Sequence, residues 1–115
     1  MTEEQNRKML WLNRSRLTEK KITALSNTAA KNQRLGCDLG ANFNNLELSE
    51  EIKKLQEQRT EIFNAIAAIH DDELEAIMYE RYLVYSPMQA IADMMHYDRK
   101  TVTRKHKIAL DKIKI

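Results

Sequence analysis

The chain has one cysteine, one proline and two glycines among its 115 residues. Without a second thiol, Cys37 cannot close an internal disulfide, and no C-x-x-C pair or Cys/His array offers zinc spacing. A reducing, cytoplasmic setting is therefore expected, with Cys37 an ordinary exposed thiol. Scarcity of glycine and proline argues against a sheet protein, which needs turn residues between its strands. No apolar run approaches the roughly 20 residues that span a bilayer, and Met1 to Lys20 is too polar for a secretion signal, so a soluble protein is expected. No glycine-rich phosphate loop is present. What remains is rich in Lys, Glu, Leu, Ile and Ala, the composition of an all-α fold. The length suits one small domain, or a small domain with a helical extension.

The net charge is only +2, so its distribution matters more than its size. From Asp98 to Ile115 there are seven Lys/Arg against Asp98 and Asp111. Just upstream, Asp71, Asp72, Glu73, Glu75, Glu80 and Asp93 face a single Arg81. A basic block thus follows an acidic one.

Residues 1–70 read as a helical arm and 71–115 as a small helical module. One long helix is expected from Thr2 to Arg34, with Leu10, Leu17 and Ala24 on one line and Ile22, Leu25 and Ala29 on another. The Ser26-Asn27-Thr28 cluster is its weak point. Gly36, Asp38, Gly40, Asn42, Asn44 and Asn45 predict a loop near 35–48, anchored by Phe43 and Leu46. Ser49 then offers an N-cap for a second long helix. Along it Ile52, Leu55, Ile62, Ile66 and Ile69 recur by threes and fours, with Arg59 as a polar intrusion. This stripe either packs on the first helix in an antiparallel hairpin or forms the seam of a homodimer.

Three short helices follow. His70-Asp71-Asp72 caps one over Glu73–Leu83, with Leu74, Ile77, Met78, Tyr82 and Leu83 inward. Ser86-Pro87 starts another, ending at Met95, with Ser at the cap and Pro at the first helical position. His96-Tyr97 makes a turn, and Asp98 caps the last helix. Ile91, Ala92, Met95, Tyr97 and Val102 fit the core of a helix-turn-helix: an apolar residue, a small one where the helices cross, then apolar residues before, in and after the turn. His96 stands where glycine is common and needs a left-handed backbone. Lys105 takes a usually apolar place, with its methylene stem on the core and its ammonium in water.

At about 100° per residue, His106, Ala109 and Ile113 share the buried side of the last helix with Val102, while Lys100, Thr103, Arg104 and Lys107 project away. Those side chains are donors for base edges and phosphates in a DNA major groove. Arg99 flanks them as a phosphate contact, and Thr101 points sideways as a weaker candidate. Ser86 and Gln89 could assist a further phosphate at the helix starting at Pro87.

The stretch Leu83-x-x-Ser86-Pro87-x-x-Ala90-Ile91-Ala92, then Tyr97-Asp98-x-x-Thr101-Val102-x-Arg104-x-His106-x-x-Ala109-Leu110, resembles region 4 of sigma-70-family factors, which reads the upstream promoter element. The layout of two long helices before this module is similar to small phage and prophage transcriptional regulators of the ArpU/RinA late-gene activator type. The resemblance implies a three-helix domain, double-stranded DNA as partner, bacterial RNA polymerase as a second partner, and a bacterial cytoplasm or nucleoid location. A complete sigma factor also carries an aromatic-rich region that captures melted DNA. Only Trp11 and Phe43 are aromatic before Leu48, so the chain should not open promoters by itself.

Two other functions stay open: a phage small terminase subunit that binds packaging sites, and a polymerase-docking module that does not bind DNA. An enzyme is not expected. His70, His96 and His106 lack metal-ligand spacing, and Asp71-Asp72 already has a capping role. No cofactor or small-molecule substrate is implied.

Overall fold

The computed structural model describes the backbone of residues 1–34 and 38–115, and their side chains except those of 29, 32–34 and 38–47. The fold is all-α: α1 (Glu3–Leu12), α2 (Arg14–Arg34), α3 (Asp38–Ala67), α4 (Asp72–Tyr82), α5 (Met88–Met95) and α6 (Arg99–Lys112). The expected roles of Cys37, Phe43, Leu46 and Ala29 lie outside the described residues.

α1 begins with a reciprocal cap in which the Thr2 hydroxyl accepts from the Gln5 amide, and the Gln5 side chain accepts from the Thr2 amide, each at 3.1 Å. This satisfies two amide donors that a helix start leaves without a partner. The single long helix expected from Thr2 is divided at Asn13. The Asn13 amide closes α1 on the Met9 carbonyl at 2.9 Å, while its own carbonyl accepts from Arg16 at 3.1 Å and opens α2. Arg14 Nε bonds back to the Trp11 carbonyl at 3.1 Å and holds the corner. The Ser26-Asn27-Thr28 stretch, expected to be weak, is continuous helix. There the Thr28 hydroxyl donates to the Ala24 carbonyl within the same helix, at 2.8 Å.

The expected loop near 35–48 is corrected over 38–48, since α3 begins at Asp38 and Ser49 lies inside it rather than at its cap, while 35–37 lie outside the described residues. Asn and Asp each disfavour a helix by less than about 1 kcal/mol, and only Gly40 costs about 1 kcal/mol. Extending an existing helix avoids the nucleation penalty, so α3 propagates through these residues.

α2 and α3 form an antiparallel hairpin. Arg14 pairs with Glu61 at 2.7 Å, the Thr18 hydroxyl donates to Gln58 Oε1 at 2.7 Å, and Lys21 pairs with Glu51 at 2.9 Å, so position rises on one helix as it falls on the other. Ile62, Ile66 and Ile69 are buried in the chain's own core. They are therefore unavailable as the intermolecular seam that was the alternative reading. Ile52 is exposed and Leu55 half-buried. Arg59 does not interrupt the packing, because its guanidinium reaches past the apolar stripe to the Leu83 carbonyl and the Tyr85 hydroxyl, each at 3.1 Å.

One core cluster joins Leu12 of α1 and Ile62, Ile66 and Ile69 with Leu74, Met78 and Tyr82 of α4 and Ala109, Leu110 and Ile113 at the end of α6. It crosses the boundary at residue 70, and α1 packs on the last helix. Buried Lys8 donates from Nζ to the Leu110 carbonyl at 3.0 Å, and Gln5 Nε2 donates to Asp111 Oδ1 at 3.0 Å. A cation at the carbonyl end of α6 also suits its dipole. The molecule measures 53 × 28 × 24 Å, with a radius of gyration of 17.6 Å. A compact chain of this length would have about 13 Å, so the hairpin extends well beyond the core. Among the described residues, no helix is long and apolar enough to cross a membrane.

Candidate nucleic-acid interface

The last two helices are set by their ends. Pro87 is the residue before α5, not its first helical residue, and no side chain caps this helix. The Ser86 hydroxyl instead donates to Glu80 Oε2 at 2.9 Å, and Gln89 Nε2 donates to Asp93 Oδ1 at 3.1 Å. Both residues expected to assist a phosphate are thus engaged with carboxylates, which would repel an anion there.

α5 ends at His96 in the left-handed conformation, φ 59° and ψ 38°. This lets the amides of His96 and Tyr97 turn back onto the Asp93 and Ala92 carbonyls at 3.3 and 3.0 Å. Asp98 then caps α6, accepting from the Thr101 amide at 2.8 Å. Hydrogen bonds from the Thr101 hydroxyl and amide, helped by Arg104, hold the Asp98 carboxyl below its ordinary range.

Ile91 and Ala92 of α5 meet Val102 of α6 and Ile77 of α4 in a second buried cluster, with Met88 and Met95 partly buried against it. Ala92 has no exposed surface, which is the close helix crossing its small side chain permits. Tyr97 departs from expectation: it is 37% exposed and is not a core residue. Its hydroxyl donates to Glu73 Oε2 at 3.0 Å, and the Lys105 ammonium lies 5.2 Å from its ring centroid. Lys105 completes the group by pairing with Glu73. The side-chain bonds of Lys105 and Tyr97 lower the Glu73 carboxyl, and Glu73 in turn raises the Lys105 ammonium. Lys105 is therefore spent on bracing the turn against α4.

His106 is buried beside Tyr82, with its Nε2 2.6 Å from the phenol oxygen. Burial, with Arg81 and Lys107 nearby, lowers its imidazole to about 4, and burial also raises the Tyr82 phenol. The pair is neutral and ties the middle of α6 to α4. Ala109 is fully buried farther along the same side.

With one side of α6 held in this way, the other is free. Arg99, Lys100, Thr103, Arg104 and Lys107 line a single open depression on it. The four cations are exposed, and none forms an ion pair among the described residues. Thr101 is half-buried with its amide on the Asp98 cap, and it does not line the depression. No family model matches the chain, and neither the curated proteins nor the solved structures hold a match to it.

Two features were not found from the sequence. The Glu73–Tyr97–Lys105 brace depends on how α4 and α6 align, which no local pattern encodes. Tyr85, with φ 67°, is the other. Its hydroxyl lies 3.3 Å from Ser15 Oγ and 3.1 Å from Arg59, and the Arg16 and Arg59 guanidinium groups stand 5.8 and 5.9 Å from its ring. The left-handed backbone lets this residue turn from the α4–α5 link onto the hairpin.

Proposed function

We propose that the chain is a sequence-specific, double-stranded DNA-binding transcriptional regulator that uses α5 and α6 as a helix-turn-helix, with α4 completing a domain like sigma region 4. The observation that carries this reading is the free face of α6. Arg99, Lys100, Arg104 and Lys107 stand together around Thr103, without ion pairs among the described residues, whereas the neighbouring Lys105 is neutralised by Glu73. A merely solvated helix has no need to keep one face unpaired while bracing the other. In this reading α6 enters the major groove, Lys100, Thr103 and Arg104 meet base edges, and Arg99 and Lys107 meet phosphates. The chain acts by binding, without catalysis, and a phage or prophage role with recruitment of bacterial RNA polymerase follows from the resemblance.

The test is retention of DNA fragments from the chain's own genomic neighbourhood, at about 150 mM salt with excess competitor DNA, where weak electrostatic binding is suppressed. One fragment should be retained saturably, and Lys100→Ala with Arg104→Ala should weaken it by about 2–6 kcal/mol if both make base contacts. Failure of the wild type to retain any fragment at micromolar protein would overturn the proposal and favour docking to a protein partner.

A further inference from the structure

The cations of α2 are divided by face. Arg14, Thr18 and Lys21 look toward α3 and engage Glu61, Gln58 and Glu51. Turning the helix about 100° per residue puts Arg16, Lys20, Thr23, Asn27 and Lys31 on the opposite side, within a narrow stripe. Arg16, Lys20 and Lys31 form no ion pair among the described residues, and Lys20 and Lys31 are exposed. Glu19, at the edge of the stripe, is the acid nearest in sequence to Arg16 and Lys20.

This stripe starts beside the helix-turn-helix. Arg16, Glu19, Lys20 and Thr23 line a depression together with Tyr85, and Tyr85 lies three residues before the first residue of α5. In helix-turn-helix docking the first helix crosses the DNA backbone. The α2 stripe starts beside the link that leads into α5, and from Arg16 to Lys31 it runs about 22 Å.

We infer that this outer face of α2 is a second DNA contact, which takes phosphates of the duplex flanking the site read by α6. The inference rests on the proposed function. It gives the hairpin a part in binding: Arg16, Lys20 and Lys31 add affinity that is independent of sequence, and Thr23 and Asn27 add neutral donors. The hairpin's elongation serves this by carrying charge beyond the recognition helix. Tyr85 fixes the angle at which the stripe leaves the module.

The experiment measures affinity against salt for mixed-sequence duplexes of about 15 and about 30 base pairs, roughly one and a half and three helical turns. The wild type should bind the longer duplex with the steeper dependence. Lys20→Gln with Lys31→Gln should make the logarithmic slope on the longer duplex shallower by about 2, one per lost phosphate contact, and leave the shorter one nearly unchanged. Lys20→Arg with Lys31→Arg should keep the wild-type slope. Both residues are exposed, so circular dichroism should show an unaltered fold. If the glutamine variant keeps the wild-type slope on both duplexes while Lys100→Ala with Arg104→Ala loses binding, this inference fails and the proposed function stands. If the wild type binds neither duplex at low salt, both fail.

Discussion

Position 96 demands a left-handed backbone, and a histidine supplies it with φ 59°. A residue with a Cβ is disfavoured there by about 1 kcal/mol relative to glycine. The His96 side chain is exposed, so little is lost with it. His96→Gly should therefore raise stability by up to about 1 kcal/mol in urea denaturation without changing the proposed DNA binding; a loss of stability would mean the imidazole contributes more than its exposure indicates. His106 is the opposite case, buried and neutral. Its imidazole takes a proton near 6.5 when unfolded and only near about 4 when folded. Between those values the unfolded chain binds more protons, so the stabilising contribution is fully present above pH 6.5 and is lost as pH falls toward 4. The slope approaches about 1.4 kcal/mol per pH unit and the total is roughly 3 kcal/mol. Since carboxylates titrate in the same window, the measurement is a difference. His106→Gln should remove this part of the acid sensitivity, and an unchanged pH profile would refute the assignment.

At the scale of elements, the C-terminal helices were legible because each start is written in a local residue. Asp71 and Asp98 cap α4 and α6 through their own carboxylates, and Ile91, Ala92 and Val102 are buried as their spacing requires. The N-terminal half was less legible. Asn13 looks no stronger as a breaker than Asn27, yet only Asn13 divides the helices. The difference is tertiary: Leu12 is buried against α3, α4 and α6, which fixes where α1 must end. The Asn-rich start of α3 was misread for a related reason, because a tally of poor helix formers omits the helix already formed after them. On α6 the free face followed from periodicity alone, but the Lys105 ammonium, expected in water, is held by Glu73 beside the Tyr97 ring, which only the alignment of α4 with α6 reveals. The α5–α6 crossing offers a direct test. Ala92→Leu adds volume where none is open and should cost about 1–3 kcal/mol. It should also weaken the proposed DNA binding by tilting α6, whereas Ala90→Leu, at an exposed position of the same helix, should do neither.

On the scale of the whole molecule, the issue is whether the arm and the C-terminal module are separate bodies. Leu12 is fully buried among residues from α3, α4 and α6, and Lys8 binds the last carbonyls of α6. Removing this apolar contact should therefore weaken the entire core and not only α1. Leu12→Ala should cost about 2–5 kcal/mol, the range for a buried leucine. Trp11, the single tryptophan, is half-buried next to it, so its fluorescence reports α1 while far-ultraviolet circular dichroism reports all the helices. In urea the two signals should move to lower denaturant together, and the proposed DNA binding should be lost over the same interval. A fluorescence transition that shifts alone, with helicity and DNA binding retained, would show that α1 is an appendage. The α4–α6 module would then stand without it, and the core described from Leu12 to Ile113 would not unfold as one unit.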